Sequence, residues 1–420
     1  MNKVLIISYY WPPKISPGVF RWYYFSKYLP NYGYKPIVFT PLTSKVNNSR
    51  NQFDNNIDLI KRKIFDPSDI LSSLFKTNIN KGILSSSNSI LNNFLSWIRI
   101  NFFIPDSRIF WVKPSVNYLK KYIENNNIKT IITTGPPHSI HLIGLKIKEI
   151  LNINWIADFR DPWSSWDILQ DMKPNNKIMN KHKELEKKIL KNANKVIVTN
   201  PNLYSEFLNI IDANKLELLT NGTLLFKSKK QYGSKKFKIS YLGLLNKFRF
   251  PKVFFNVLKE LIIKNDEIDK DIEIFISGTI DKSIYNYLIN DSILKTKINY
   301  VQNVEYENTF HHFNSSSLLL LLLNKKSINT TPTKVFDYAT SGTPVLTLGE
   351  KKDKNMDLLL RELSLEKIVS YSDKISIEKT ILRSYKNFKL NIKNKPSDNI
   401  KKYDRKYLAE KLSKILDYYY

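Results

Sequence analysis

Short, unbroken apolar runs recur along this chain, and a segment with helical signals follows each one. Residues 4–8 form the first run. A continuous run of that length marks a strand covered on both faces, as in a parallel sheet. Ser16 can cap the next helix, with Pro17 in its first turn, where the missing N–H is no loss. That helix runs to about Leu29, Gly33 closes it, and residues 36–40 make the next strand. The pattern repeats: residues 129–134, 154–158, 195–199 and 216–219 also read as strands, with helical segments between them. Such alternation predicts a doubly wound parallel sheet rather than an antiparallel sandwich.

A second series begins near Phe237, with strands expected at 238–242, 272–277, 298–301, 318–323 and 344–347. Residues 225–236, rich in Lys, Ser and Gly, read as a linker. The expected organisation is α/β: residues 1–224 and 237–398 as two Rossmann-like domains, then a C-terminal segment, 399–420. In that last segment Tyr403, Tyr407, Leu408, Leu412, Ile415 and Leu416 recur at helical spacing and need a surface to cover. Residues 43–90 carry many Asn and Ser and read as a long, partly irregular insertion.

Composition removes several function classes. Of the 420 residues, 42% are hydrophobic and 13% aromatic, too much apolar area for a mainly disordered chain. Cys is absent, which excludes disulfides, a thiolate nucleophile, a zinc ribbon and iron–sulfur clusters, and fits a reducing cytosol. A formal net charge of +28 favours anionic partners: nucleic acid, a phosphorylated substrate or an acidic membrane face. The lysines are scattered, so a proteome-wide compositional bias accounts for the charge equally well. No recognition motif supports nucleic acid, and none is expected as a partner. The longest apolar run, 318–323, is six residues, whereas a membrane span needs about 20. The apolar N-terminus is cut short by Tyr9-Tyr10-Trp11-Pro12-Pro13, too soon for a signal peptide. The expected location is the cytoplasm, with contact to the inner face of the membrane.

Ligands of open α/β sheets bind at the carboxyl ends of the strands, so the residues after each strand are the candidates. After the first, Gly18 lets a ligand approach the backbone; an ordinary cap and turn is the competing reading. The third strand leads into Gly135-Pro136-Pro137-His138-Ser139, with His141 one turn on. His141 is a candidate substrate contact or a half-buried structural histidine; no nearby carboxylate completes a metal site. The densest cluster is Asp158-Phe159-Arg160-Asp161-Pro162-Trp163. Carboxylates there can orient sugar hydroxyls and an indole can stack on a sugar face; an internal Asp–Arg pair fixing the loop is the alternative. In the second half Gly243, Lys247 and Arg249 suit a diphosphate, or form a solvated loop. Thr331 and Thr333 are expected to cap a helix in which Lys334 and Asp337 lie close together. An anion site beside a carboxylate acceptor is what a nucleoside diphosphate requires.

These residues carry a resemblance. The chain resembles a glycosyltransferase of the GT-B fold, close to the retaining family 4 of nucleotide-sugar-dependent enzymes. The opening Tyr9-Tyr10-Trp11-Pro12-Pro13 with Gly18 and Arg21 is similar to that family's N-terminal loop. Thr134 to His141 and Asp158 to Trp163 resemble a bacterial surface-polysaccharide subgroup, and Thr220-Asn221-Gly222 resembles the turn before the donor domain. The segment from Pro332 through Asp337 to Leu346 is similar to the donor-site signature and is the most specific match. The resemblance implies two Rossmann-like domains facing each other across a cleft, the first for the acceptor and the second for the nucleotide-sugar. It also implies a last helix that returns to the first domain, a glycan or lipid-linked acceptor, and no metal or other cofactor.

Two positions depart from the signature. Its paired Glu, eight residues apart, are Asn329 and Asp337 here, and its Arg after the glycine is Leu244, which leaves Lys247 or Arg249 for the phosphates. A degenerate relative that binds without catalysing is therefore the alternative reading. Residues 93–112, rich in aromatics, could lie in a membrane interface or pack on the first sheet.

Overall fold

The computed structural model describes residues 1–13, 17–42, 57–64, 97, 100–101, 103–225, 235–326, 328–349, 353–392 and 395–420. The chain forms two compact units. One is Met1–Gly222 with Arg405–Tyr420, and the other is Thr223–Asp404.

The first unit holds seven parallel strands: β1 (Asn2–Ser8), β2 (Tyr34–Pro41), β3 (Asp58–Arg62), β4 (Thr130–Gly135), β5 (Asn154–Phe159), β6 (Lys195–Val198) and β7 (Leu216–Leu218). Their order is β3-β2-β1-β4-β5-β6-β7, with β1 and β4 at the centre. Alternate residues of β1 enter different cores, which is why its apolar run is unbroken. Leu5 and Ile7 meet Trp111, Phe39 and Trp155 on one face. Val4 and Ile6 meet Trp22, Phe25 and the C-terminal helix Arg405–Asp417 on the other. That helix contributes Leu408, Leu412 and Leu416, each fully or almost fully buried and worth about 1.5–3 kcal/mol of burial. The C-terminal segment therefore does return to the first unit.

The second unit holds six parallel strands: β8 (Phe237–Leu242), β9 (Ile272–Ser277), β10 (Ile298–Val301), β11 (Leu318–Leu322), β12 (Val345–Gly349) and β13 (Val369–Ser370). Their order is β10-β9-β8-β11-β12-β13, so β8 and β11 are neighbours. The five leucines of β11 split between the two faces, Leu318, Leu320 and Leu322 on one and Leu319 and Leu321 on the other.

Several details differ from the expectations. An edge strand, β3, lies within residues 43–90; its sequence Asp-Leu-Ile-Lys-Arg lacks a strong apolar signal because most of it is exposed. The rest of that insertion lies outside the described residues. The units divide at Gly222/Thr223 and again at Asp404/Arg405, since the Thr223 N–H donates to Tyr403 O and Thr223 bridges Asp404. Residues 399–404 therefore stay with the second unit. Most of 225–236 lies outside the described residues. Within 93–112, Trp111 and Val112 open the Ile109–Asn126 helix and are buried in the first core, while Trp97 and Phe110 are exposed. Among the described residues no helix is long and apolar enough to cross a membrane.

Candidate active site

In the first unit the register places Ser8 opposite Thr134 and Thr134 opposite Asp158, at the carboxyl end of the sheet. Asp158 is completely buried. Its Oδ1 accepts from Arg21 Nη2 at 2.8 Å, and its Oδ2 accepts from Trp22 Nε1 at 2.7 Å and Thr134 Oγ1 at 2.8 Å. Arg21 is itself buried and also donates to Thr220 O at 2.6 Å. This corrects the expectation that Asp158 contacts substrate. Its oxygens are already met by three donors and no face reaches solvent, so it ties the Pro17–Tyr28 helix to β4 and β5.

Arg160 is placed differently. Its Nε and Nη2 donate to the carbonyls of Gly135 and Pro136 at 3.1 and 2.6 Å. Its Nη1 occupies the space beside Gly18, where a β-carbon would come within 1.3 Å of it. The residue following the helix start must therefore be glycine for the guanidinium to lie there. Asp161 is half-buried, and burial raises its carboxyl above the ordinary range.

His141 is fully buried, stacked on Phe159 at 4.4 Å, with Nδ1 at 2.9 Å from Thr133 Oγ1 and Nε2 unpartnered. Burial, then the charges of His138 and Arg160, hold it far below the usual histidine range, so it is neutral at physiological pH. His138 stacks face to face on Trp163 at 5.1 Å. No sequence pattern signals the support beneath this loop. Trp163 Nε1 donates to His182 Nδ1 at 3.0 Å, Ser164 bonds Glu186, and Ser165 Oγ donates to Glu206 at 2.9 Å. His182 and Glu186 sit one turn apart on the Asn176–Asn192 helix, and burial pushes Glu186 up to about 7. Asp106 was also missed: its carboxylate accepts from Ser139 N and Oγ, at 2.9 and 2.8 Å.

In the second unit, Gly243 has φ +148°, and a β-carbon there would fall 1.8 Å from Lys334 Nζ. The ammonium lies over the Tyr241 ring at 5.0 Å. Burial and the charge of Arg249 lower Lys334 to about 7, against a smaller opposing effect of Asp337. Asp337 is 6% exposed and accepts from Thr223 Oγ1 at 2.6 Å. Lys247 follows on the same loop, and its ammonium lies 4.9 Å from the Phe248 ring centre. Lys325 and Lys326 join this cluster: Lys325 N donates to Phe248 O at 3.1 Å, and Lys326 Nζ lies 4.7 Å from the same ring centre. Both follow β11, so the rule that selects loops past strands reaches them too. Thr331 and Thr333 are half-buried. Thr333 occupies the position before the Lys334–Ala339 helix but makes no side-chain cap, because its own φ and ψ of −54° and −30° are already helical. The capping role expected for it is not found. Among the described residues no group of three or more His, Cys, Asp or Glu side chains gathers to hold a metal ion.

Two parallel-sheet Rossmann-like units with a returning C-terminal helix define a GT-B fold. Solved structures share it. An S. aureus TarM variant in complex with Fondaparinux, alpha-GlcNAc-glycerol and UDP is 13% identical, with a TM-score of 0.67 over 99% of this chain and 100% of that one. The lipopolysaccharide outer core galactosyltransferase WaaB is 8% identical, with a TM-score of 0.56 over 100% and 99%. A putative UDP-N-acetylglucosamine 2-epimerase from Listeria monocytogenes is 11% identical, with a TM-score of 0.53 over 98% and 94%. The sequence matches no protein-family model and no curated protein.

Proposed function

We propose that this chain is a glycosyltransferase that moves a sugar from a nucleotide-sugar to a glycan acceptor, with retention at the anomeric carbon and without a metal. The observation that carries the reading is Lys334 Nζ packed against Gly243 at the end of β8, with Lys247 and Arg249 on the loop that follows. An ammonium opposed first by burial and then by a neighbouring guanidinium is lowered in energy when a diphosphate enters. Lys247 and Lys326 extend the same charge, Gly243 lets the phosphates reach the backbone, and Asp337 takes the ribose hydroxyls. Thr331 and Thr333 border the site. As the bond from the anomeric carbon to the diphosphate breaks, these cations stabilise the charge left on the leaving oxygen. The acceptor hydroxyl oxygen forms the new bond to the anomeric carbon, and its proton passes to the departing diphosphate oxygen.

The first unit is assigned to the acceptor. Arg160 and Asp161 offer donors and an acceptor for sugar hydroxyls, while fully buried Asp158 and His141 support them from beneath, Asp158 by positioning the helix that carries Gly18. TarM with UDP and a GlcNAc glycoside, and WaaB as a lipopolysaccharide galactosyltransferase, support a surface glycan as product. A lipid-linked acceptor at the inner membrane face belongs to this reading, with exposed Trp97 and Phe110 as contacts. Trp97→Ser should then weaken retention on anionic vesicles.

A panel of UDP-, GDP- and ADP-sugars tests the assignment, with donor hydrolysis and anomeric configuration read by NMR. One donor hydrolysed with retention supports it, and an epimerised nucleotide-sugar as product overturns it. Asn329 favours one second reading, an interaction subunit, since it supplies no charge where the resembled signature has Glu. Binding without turnover on every donor would select that reading.

A further inference from the structure

The first unit contains a second basic depression that the proposed reaction does not use. It is a cavity of about 770 Å³ beside the C-terminal helix. Asn194 and Lys195 at the start of β6 line it, which places it at the amino edge of the sheet, the end away from Arg160 and Asp161.

Five lysines line this cavity: Lys148, Lys195, Lys215, Lys411 and Lys414. Glu217 is the one carboxylate among the lining residues, and it pairs with Lys195 at 3.4 Å. Lys148, Lys195 and Lys215 are half-buried. Neutral oxygens hold them in place: Lys148 donates to Asn194 Oδ1, Lys195 to Asn214 O at 3.0 Å and Lys215 to Lys191 O at 3.0 Å. Such bonds fix an ammonium without neutralising it. Burial, and then the charge of Lys215, hold Lys148 below the usual lysine range. From the C-terminal helix Lys411 brings further charge, Lys414 stands paired with Glu410 at 2.9 Å, and the phenols of Tyr418 and Tyr419 complete the wall with groups able to donate.

We propose that this cavity binds a phosphate group, as a diphosphate or a phosphodiester. Several converging ammoniums suit the compact charge of phosphate, which Lys meets as a point charge. Two sources share that chemistry: a soluble phosphate compound, or the headgroup of an anionic lipid. Exposed Ile150 and Leu218, next in sequence to the cavity's own elements, leave room for the second.

The full chain is titrated with pyrophosphate by calorimetry, and separately with phosphatidylglycerol vesicles by sedimentation. Two pyrophosphate sites are expected, one removed by Lys334→Ala and the other weakened about tenfold or more by Lys148→Gln with Lys215→Gln. Lys411→Ala with Lys414→Ala, on the exposed helix face, should weaken the same site severalfold without altering Tm, and covers the case in which the buried pair fails to fold. Vesicle binding that both pairs weaken and pyrophosphate competes away identifies a lipid headgroup. Pyrophosphate binding without vesicle retention identifies a soluble ligand. A single pyrophosphate site, lost in Lys334→Ala and unmoved by either lysine pair, together with vesicle binding that neither pair alters, overturns the proposal and leaves the donor assignment standing.

Discussion

Two charged clusters sit at the carboxyl ends of the two sheets, and they are built in opposite ways. In the first unit the buried carboxylate of Asp158 faces the buried guanidinium of Arg21 at 2.8 Å, with Trp22 and Thr134 on the remaining lone pairs. Charge and hydrogen bonds close on themselves. In the second unit the Lys334 ammonium is opposed by burial and by the charge of Arg249, and Asp337 offsets only part of this. The first arrangement is complete without a ligand, whereas the proposed function completes the second with an anion. A charged cluster at a strand end is therefore not by itself a binding site; what distinguishes one is charge that the protein leaves uncompensated.

The largest effect should come from breaking the closed cluster. Asp158→Ala strands the Arg21 cation in the core, and removing one partner of a buried pair costs roughly 3–5 kcal/mol. Thermal denaturation should show a large loss of stability. Nucleotide binding by whatever second unit remains folded should persist. An unchanged Tm would mean that Asp158 is not the closed element the geometry describes. Lys334→Ala should behave the other way. Losing a charge-assisted bond to phosphate is worth roughly 1.5–3 kcal/mol, a ten- to hundredfold weaker nucleotide-sugar Kd. Stability should hold or rise, because a half-buried, repelled cation is gone. A large loss of Tm with Kd unaltered would reverse the comparison.

What the sequence made legible follows the same division. Continuous apolar runs betray strands covered on both faces, so the cores of both sheets could be read directly. β13 is two residues and β3 is mostly exposed, and neither leaves an apolar trace. Lys334 and Asp337 share one short helix, so their proximity was readable. Arg21 and Asp158 are 137 residues apart, and no local pattern announces that they meet. Local spacing suggested instead an Asp158–Arg160 partnership within one loop. The structure sends Arg160 to the carbonyls of Gly135 and Pro136. His182 and Glu186 were invisible for a related reason: a polar residue on the inner side of an amphipathic helix is identified only by the loop it supports.

The next effect is pH dependence, which separates an open cluster from a closed one. Lys334 is lowered to about 7, so in the free protein it is charged below that pH and increasingly neutral above it. An anion binds the charged form, so above pH 7 binding must take up a proton. Affinity for a nucleotide-sugar, whose diphosphate is fully ionised throughout, should be flat below pH 7. It should weaken by up to about tenfold per unit above, until the pKa of the bound state is reached. Lys334→Arg should remove the slope. Calorimetry from pH 6 to 9 reads both; a flat profile in the wild type would show that Lys334 does not meet the phosphates.

Asp337 sharpens the comparison most, because it has features of both kinds. It is 6% exposed, and its Oδ1 already accepts from Thr223, which suits a closed structural carboxylate. It also lies on the same helix as Lys334, where the ribose is proposed to bind. Thr223→Val keeps the shape and removes one donor, a change worth about 1 kcal/mol wherever it is felt. If Asp337 belongs to the open cluster, the carboxylate loses its orientation and the nucleotide-sugar Kd rises up to about tenfold, with Tm almost unmoved. If it belongs to the closed kind, Tm falls and Kd stays. Asp337→Asn decides between them independently: it keeps an acceptor for Thr223 but weakens the acceptor offered to ribose. A Kd raised by both substitutions, with Tm held, assigns Asp337 to the ligand. A lowered Tm in Thr223→Val with no change in Kd for either variant would remove it from the donor site and leave Lys334 and Arg249 to carry the reading alone.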